Sequence, residues 1–417
     1  MNMQSSYHGP DKAAAAERKS KITLIVLCFL IVLLDGFDTI TVTFVAPVLA
    51  GIWGLPISAM APAFLATSLG AVVGYIGAGP LALRFGERKV ILFSVVLFGL
   101  GTLATSFSTD IVTLSLFRLL TSIGLGAVLP LAIGGASSVV SQARRATTAI
   151  LIATGLSAGG VLAGIVGGPL IRHYGWESVF VVGGFLPLLL VPAIYRYFPD
   201  VSVKTSASLP RSPIFGLFEG HLALQTVLLW LFAFTIFVEA YALLYWIPTL
   251  LINWGMPEEL APASAAAFSM GGFVGGVLLA VLVGRLNVLK SLFLFTFFGL
   301  GCILFFGLGE LRQELIMPIA FGLGLGLLSC CVGQSALAVS FYPPHLRTTG
   351  IGCAAAAGRV GSIVGPALGG VVIALQWTPQ QIVLAAAIPS ILALAILVAM
   401  HLLMPKPQCN KGTVTNT

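Results

Sequence analysis

Charged residues are scarce in this sequence. Asp, Glu, Lys and Arg make up 8% of its 417 residues, whereas a soluble domain carries about 25%. Hydrophobic residues make up 58%, and they occur in runs that suit membrane helices of about 20 residues but are too long for barrel strands of about 9–11. This composition excludes a soluble globular domain and predicts an all-α polytopic membrane protein.

Signatures of catalysis and of cofactor binding are also missing. The five histidines lie near span ends, in loops or in tails without metal-ligand spacing, and none of the six cysteines forms a CxxC motif. No strand is evident that a glycine-rich phosphate loop could follow. We therefore expect a protein that is not an enzyme and holds no metal or cofactor, with cysteines packed as inert thiols.

Long apolar runs predict twelve spans, arranged as two six-helix halves at 22–198 and 222–404. The first six are 22–50, 58–82, 89–108, 110–138, 146–171 and 176–198; the second six are 222–252, 262–284, 287–309, 313–341, 348–375 and 379–404. Polar segments at 1–21, 199–221 and 405–417 are predicted to form an N-terminal tail, a linker and a C-terminal tail. The first run is too long for the 7–15-residue core of a signal peptide.

Most basic residues fall on one side of the predicted membrane. With a cytoplasmic N-terminus, 17 of the 21 Lys and Arg residues lie in cytoplasmic segments. Arg172 and Arg312 fall outside, and Arg118 and Arg359 lie within spans. Because basic loops are retained in the cytoplasm, both tails and the linker are predicted to be cytoplasmic. The same loops explain the net charge of +7 without invoking nucleic acid.

An internal repeat relates the two halves. A shift of about 201 residues superimposes glycine, proline, basic and acidic positions: Gly74 on Gly275, Arg84 on Arg285, Lys89 on Lys290, Pro47 on Pro248, and Asp38 on Glu239. In the fifth span of each half, Gly155 and Gly159 match Gly361 and Gly365. Parallel six-helix repeats are typical of a large transporter class that binds substrate near the bilayer midplane between its halves.

Five ionisable side chains lie deep in predicted spans: Asp35, Asp38, Arg118, Glu239 and Arg359. A charged side chain at the bilayer centre costs at least ~2.5–3.5 kcal/mol on insertion scales, and usually faces a cavity or a partner. Asp35 and Asp38, three residues apart, share a helix face. Asp35 and Arg118 lie at similar depth, which predicts that these two pair and that Asp38 carries the transported proton.

The balance of these charges predicts how a proton and an anion would be coupled. If all five groups were ionised, they would sum to −1, and a bound carboxylate would add another negative charge. An acid in the site is then expected to take up a proton when the anion arrives. Arginine is the natural clamp for a carboxylate, because it is always charged and binds in a bidentate manner.

Several motifs make the chain resemble the major facilitator superfamily over nearly its whole length. The loop Gly79-Pro-Leu-Ala-Leu-Arg84-Phe-Gly86-Glu-Arg88-Lys89 resembles the superfamily loop G-x-L-A-D-R-x-G-R-R-R, and the segment from Arg118 to Pro130 resembles its R-x-x-x-G-x-G pattern with the glycines displaced. Two departures stand out: Leu83 replaces the loop's acid and Glu87 replaces a base. Gly284, the equivalent of Leu83 in the second half, is not acidic either. The resemblance implies that the missing acid would help to hold a cytoplasmic gate.

Shorter motifs are similar to those of the aromatic acid:proton symporter family. They are DGFDT at 35–39, FVAP at 44–47, WIPT at 246–249, GQS at 333–335, YP at 342–343, RxTG at 347–350 and GRxGSxxGP at 358–366. The similarity implies proton-driven uptake of an aromatic carboxylate across a bacterial inner membrane. It also matches Asp35 and Asp38 to a functionally important acidic pair of that family.

Candidate roles follow from the buried charges and from the resemblance. Proton coupling is predicted for Asp35, Asp38 and Glu239; substrate binding for Arg118, Arg359, Gln334, Tyr241, Tyr245 and Trp246; gating for Arg84, Arg88, Arg347, Gly365 and Pro366. Gly365-Pro366 is expected to kink its helix. Structural alternatives remain for these groups: helix-packing contacts or ion pairs for the charged residues, an interhelical hydrogen bond for Gln334, and an interfacial aromatic belt for Tyr241, Tyr245 and Trp246.

The leading hypothesis is a monomeric secondary active transporter that takes up a small aromatic carboxylate with protons by alternating access. An exporter or antiporter of organic acids or drugs is the alternative. Gly160, where the resemblance would place a proline of the drug-antiporter motif, counts against antiport. A third hypothesis, a non-transporting substrate sensor, is suggested by the missing gate acids at positions 83 and 284.

Overall fold

The computed structural model describes residues 9–199, 213–253, 260–309 and 312–403. Within those ranges the regular structure is entirely helical, and twelve helical spans are long and apolar enough to cross a membrane. The all-α prediction is thus confirmed. Spans 1–6 are Gly9–Ile52, Ala61–Phe85, Glu87–Thr105, Ile111–Ser138, the pair Gln142–Ala153 and Gly155–Tyr174, and Glu177–Tyr197. Spans 7–12 are Leu222–Asn253, Leu260–Arg285, Val288–Leu308, Ile316–Phe341, Pro344–Ala374, and the pair Pro379–Ala385 and Ala387–Leu403.

Several spans begin earlier than the apolar pattern predicts, spans 1 and 5 among them. The helix of span 1 begins at Gly9 rather than at residue 22, because the preceding segment is rich in alanine, the strongest helix former. The ion pair between Lys21 and Glu17, 2.7 Å apart and one turn from each other, also supports it. Span 5 begins at Gln142 rather than at residue 146, and is interrupted at Thr154, whose hydroxyl donates to the Ile150 carbonyl.

The described end of the predicted linker is packed against the bundle. Residues 200–212 lie outside the described ranges, as do the C-terminal tail 405–417 and residues 1–8 of the N-terminal tail. Pro213–Gly216 forms a short helix, and the Leu217 side chain after it is fully buried. The hydroxyl of Thr226 donates to the Leu217 carbonyl over 2.7 Å. These contacts fix the linker to the start of span 7.

Local sequence features set the start of span 4 and the turn between spans 2 and 3. The Asp110 carboxylate accepts hydrogen bonds from the backbone N–H groups of Val112 and Thr113, at 2.8 and 2.9 Å, and so caps span 4. These bonds, that of Thr113 foremost, hold the pKa of Asp110 below its ordinary value. Between spans 2 and 3, Gly86 has φ +91°, a left-handed conformation that favours glycine.

Equivalent helix pairs pack in the two halves, as the repeat predicts. Span 1 packs on span 5 and span 7 on span 11, while span 2 packs on span 4 and span 8 on span 10. A side chain at Gly159 would overlap the Leu33 backbone, and one at Gly365 would overlap the Val238 backbone. These two glycines, matched in the sequence, therefore allow the same close approach in each half.

The halves meet at one side of the membrane. We call it the terminal side, because span 1 begins and span 12 ends there, and we call the opposite side the far side. The Thr348 hydroxyl donates to Glu87 over 2.8 Å, which joins spans 11 and 3. A side chain at Gly352 would overlap the Tyr75 carbonyl, and one at Gly79 would overlap Thr349. These contacts close the terminal side.

Candidate functional site

A cavity of about 740 Å³ lies between the two halves. It is lined by spans 1, 2, 4 and 5 of the first half and by spans 7, 8, 10 and 11 of the second. Lining residues such as Thr43, Ile165 and Ala265 belong to the parts of their spans nearest the far side. Since the contacts between the halves close the terminal side, the cavity extends from the middle of the membrane toward the far side.

Four lining side chains carry a buried polar atom that has no hydrogen-bond partner within the described ranges. These atoms are Asp35 Oδ2, Ser122 Oγ, Gln334 Oε1 and Arg359 Nε. Both halves contribute, through spans 1 and 4 and through spans 10 and 11. Unpaired buried polar atoms are uncommon in proteins and call for an explanation. Because both halves place such atoms on one cavity, they can serve as the few polar groups of a ligand site.

Arg359 and Asp35 provide the opposite charges of the cavity. They belong to different halves and interact electrostatically, although they are not in hydrogen-bond contact. The other oxygen of Asp35 accepts from the Thr39 hydroxyl at 3.3 Å. Arg359 also lies within electrostatic range of Tyr75, Tyr241 and Tyr245. The guanidinium can therefore receive an anion without first breaking a direct ion pair.

An aromatic wall stands beside Arg359. The rings of Phe237 and Tyr241, one turn apart on span 7, are stacked with centroids 5.6 Å apart and planes 10° apart. Tyr75 and Tyr245 also line the cavity. Gly358, in span 11, lies directly against the Phe237 ring. Because close packing joins spans 7 and 11, the aromatic wall and the Arg359 guanidinium are held in one rigid unit.

Asp38 is the carboxylate that pairs with Arg118. Arg118 Nη1 and Nη2 donate to Asp38 Oδ1 and Oδ2 at 3.1 and 2.7 Å. The Thr102 hydroxyl donates to the same carboxylate at 2.8 Å, and Arg118 Nε reaches Thr67 at 3.4 Å. The predicted pairing of Asp35 with Arg118 is therefore wrong. The two acids differ by only about 4.5 Å in depth, and Asp38 points into its own half whereas Asp35 points into the cavity.

The positions of Asp38 and Arg118 also bear on their predicted roles. Both side chains are almost completely buried, and neither is among the described residues that line the cavity. In this state Arg118 is occupied by Asp38 and does not face a ligand. The pair lies in the interior of the first half, where its hydrogen bonds join spans 1, 2, 3 and 4.

Glu239 is buried in the interior of the second half. Its side chain is 1% exposed, accepts a hydrogen bond from the Ser390 hydroxyl, and does not line the cavity. Its other oxygen has no hydrogen-bond partner within the described ranges. Matching glycine contacts, Gly70 on Leu119 and Gly271 on Phe321, align Arg118 with Ala320. The second half thus keeps the acid of the repeat without its arginine.

The predicted aromatic residues divide into two groups. Tyr241 and Tyr245 line the cavity, whereas Trp246 packs on Gly369 of span 11. The indole Nε1 of Trp246 donates to the Pro366 carbonyl at 2.9 Å. Gly365 and Pro366 accordingly form part of the packing contact between spans 7 and 11. Trp246 therefore belongs to this packing contact and not to the cavity wall.

The predicted gating residues on the terminal side have different surroundings. Arg88 donates to the Tyr195 carbonyl and lies over its ring, 4.4 Å from the centroid, while Arg84 lies over the neighbouring Phe85 ring. Arg347 is buried and interacts electrostatically with Glu87. Glu87 thus joins the halves, whereas Leu83 and Gly284 have no side-chain group that could form such a hydrogen bond.

The lining residues that were not predicted from the sequence include Tyr75, Ser122 and Phe237. Phe237 lies one turn before Tyr241, so helical spacing could have identified it. Tyr75 and Ser122 belong to apolar stretches rich in small residues, and only the packing of spans 2 and 4 against their neighbours turns them toward the cavity.

Comparison with known proteins agrees with this architecture. The model of the Major Facilitator Superfamily matches residues 28–335. A 3-(3-hydroxy-phenyl)propionate transporter of Escherichia coli is 35% identical over 376 residues, which cover 89% of this chain and 92% of that protein. A 4-hydroxybenzoate transporter of Pseudomonas aeruginosa is 32% identical over 409 residues, with 89% and 90% covered.

The solved structures extend the likeness in fold. A proton:xylose symporter superposes with a TM-score of 0.73 at 14% identity, covering 93% of this chain and 97% of that one. At this identity the similarity concerns the fold alone. The family match, together with relatives above 30% identity along most of the chain, shows that this protein belongs to the major facilitator superfamily and, within it, to the aromatic acid transporters.

Proposed function

We propose that this transporter takes up a small aromatic carboxylate together with protons across a bacterial inner membrane. The observation that carries the proposal is a cavity in which Arg359 stands beside the stacked rings of Phe237 and Tyr241 and opposite Asp35. An arginine binds a carboxylate, and the rings offer a surface on which another aromatic ring stacks. The names of the two relatives support an aromatic acid as the substrate.

The orientation of the chain is the one expected of an importer in the state that accepts external substrate. Basic residues crowd the terminal side, so that side is cytoplasmic by the positive-inside rule, with both termini inside the cell. The cavity then opens to the outside, where it receives substrate. Transport proceeds when the far side closes and the contacts of Thr348 with Glu87 and of Gly352 with Tyr75 separate. The chain acts as a monomer and needs no cofactor, since the proton gradient supplies the energy.

The uptake of substrate and proton is coupled because the substrate carboxylate and Asp35 compete for the positive charge of Arg359. Before substrate arrives, Arg359 stabilises the negative charge of Asp35 across the cavity. A bound carboxylate neutralises Arg359 and leaves Asp35 as an excess negative charge in a poorly solvated site. Asp35 then takes up a proton, and the neutral complex crosses more readily than a charged one. Asp38 acts indirectly here, because its ion pair with Arg118 fixes span 1; Glu239 serves as a second proton site.

Proteoliposomes test the proposal. We expect radiolabelled 4-hydroxybenzoate to accumulate when the outside is acidic, and the accumulation to collapse with a protonophore. Substrate added to vesicles without a gradient should alkalinise the medium. Asp35→Asn should abolish accumulation but preserve exchange of labelled for unlabelled substrate. Acidification of the medium would instead indicate antiport, and saturable binding without flux would indicate a sensor.

A further inference from the structure

We infer that Gln334 selects aromatic acids whose ring hydroxyl lies opposite the carboxylate, by accepting a hydrogen bond from that hydroxyl. The inference rests on the proposed function, because it takes Arg359 as the carboxylate site. It adds a second recognition point at the other end of the substrate, together with a preference among positional isomers.

The amide of Gln334 is buried, and only one of its two polar atoms makes a hydrogen bond within the described ranges. The side chain lines the cavity and is 1% exposed. Its Nε2 donates weakly to the Ser335 hydroxyl at 3.4 Å. Its Oε1 accepts no hydrogen bond from any residue that the structure describes. A buried acceptor without a donor is unfavourable, so a ligand that donates a hydrogen bond there gains more than one that does not.

The depths of Gln334 and Arg359 set the direction of the ligand. Gln334 lies seven residues before the end of span 10, and Arg359 lies fifteen residues after the start of span 11. Both of those helix ends are on the terminal side. At about 1.5 Å per residue, Gln334 is about 12 Å closer to the terminal side than Arg359. A ring held at Arg359 by its carboxylate can therefore direct the opposite edge toward Gln334.

The wall between these depths is largely apolar. Lining side chains there include Leu129, Ala153, Val332 and Ala355. Tyr75, ten residues before the end of span 2, also lies at this depth, so a hydroxyl that points here meets few polar groups besides the Gln334 oxygen. An unsubstituted ring leaves that oxygen unpaired. Sites built around a substrate hydroxyl discriminate strongly against the analogue that lacks it. A hydroxyl next to the carboxylate stays at the depth of Arg359 and cannot make this contact.

Titration calorimetry of the purified full-length chain tests the inference with three probes. We expect 4-hydroxybenzoate to bind about tenfold or more tightly than benzoate. 2-Hydroxybenzoate should bind no more tightly than benzoate. This comparison needs no substitution and so does not depend on the folding of a variant.

Substitution then assigns the preference to one side chain. Gln334→Met keeps the length and removes the acceptor, so we expect 4-hydroxybenzoate and benzoate to bind within about threefold of each other while benzoate keeps its wild-type affinity. Ser137→Ala is the matched control. Ser137 also has a buried oxygen without a partner within the described ranges, but it does not line the cavity, and its loss should leave the preference unchanged.

The outcomes separate the inference from the proposed function. If none of the three acids binds, both are overturned. If all three bind equally to the wild-type chain, the proposed function stands, but the inferred hydrogen bond between Gln334 and the ring hydroxyl is wrong. A preference that survives in Gln334→Met rejects Gln334 as its source. Equal weakening of all three acids in that variant means that Gln334 has a structural role, which also overturns the inference.

Discussion

Asp38 and Arg118 are joined by two parallel hydrogen bonds, of 3.1 and 2.7 Å, inside the first half of the transporter. Both side chains are excluded from solvent. The pair connects span 1 to span 4, and Thr102 of span 3 donates to the same carboxylate. An ion pair in such surroundings holds helices in register, and either charge alone would be strongly unfavourable.

We predict that breaking this pair costs stability more than affinity. Asp38→Asn or Arg118→Met should each lower the free energy of unfolding by about 3–5 kcal/mol, because each leaves a charge buried without its partner. The double variant should lose much less than the sum. Chemical denaturation of the four proteins in detergent gives the coupling free energy; additive losses would contradict the structural role.

The correction at Asp38 shows what a sequence can resolve. Residue spacing gives depth in the membrane, and depth favoured Asp35 over Asp38 as the partner of Arg118, although the two acids differ by only about 4.5 Å along the helix. What separates them is rotation about the helix axis, which depends on the glycine contacts between span 1 and span 5. Those contacts involve backbone atoms, such as those of Leu33 beside Gly159. The rotation of span 1 therefore follows from the packed structure and not from residue spacing.

Arg359 is expected to bind the carboxylate through the shape of its guanidinium as well as its charge. We predict that Arg359→Lys raises the Kd of 4-hydroxybenzoate about tenfold or more, since an ammonium cannot offer two parallel donors. Calorimetry measures the effect. Arg285→Lys, at an exposed position at the end of span 8, is the control and should bind normally. An unchanged affinity in Arg359→Lys would remove the arginine from the carboxylate site.

The hydrogen bond from Thr348 to Glu87 is expected to hold the terminal side closed. Charged hydrogen bonds contribute about 1.5–3 kcal/mol, so Glu87→Gln or Thr348→Val should shift the population toward the terminal-open state by about tenfold. Spin labels on Arg144→Cys and Arg285→Cys, in a chain whose native cysteines are replaced, report the separation of the halves.

The control for this experiment lies nearby on span 4. Ser138 is on the same side, but its hydroxyl donates to Gly135 within its own helix, so Ser138→Ala should leave the label distances unchanged. Identical distances in Glu87→Gln and the wild type would show that the link does not hold the closed state. The sequence identified the missing acid at Leu83, but not the contact between Glu87 and Thr348, because these residues are 261 positions apart.

Glu239 is expected to hold a proton in the state described here. The described ranges place no cation in ion-pair contact with it, and an isolated buried carboxylate is neutralised more readily than it stays charged. We predict that Glu239→Gln, which keeps a neutral acceptor for Ser390, leaves the melting temperature within about 2 °C of wild type. Infrared difference spectra should lose the carbonyl band of a protonated acid. A stable variant without that spectral loss would show that Glu239 is ionised.

The repeat was the most informative part of the sequence. It predicted two halves and placed Gly159 and Gly365 at equivalent positions of the repeat, because close helix packing leaves small residues at regular positions. The cavity wall was predicted only in part. Its charged residues and Gln334 were visible as anomalies in apolar spans. Phe237, Tyr75 and Ser122 resemble the residues that face lipid or neighbouring helices, and only the assembled bundle distinguishes them.

The matched glycines give a test of that repeat. A Cβ at Gly159 would overlap the Leu33 carbonyl, and a Cβ at Gly365 would overlap the Val238 carbonyl. Since backbone cannot move aside as a side chain can, we predict that Gly159→Ala and Gly365→Ala each cost about 1–3 kcal/mol. Gly168→Ala, also on span 5, meets nothing within 4 Å and should be neutral or slightly stabilising, because alanine favours the helix. Thermal unfolding in detergent compares the three variants; equal stability at all three positions would mean that the spans do not rely on these close approaches.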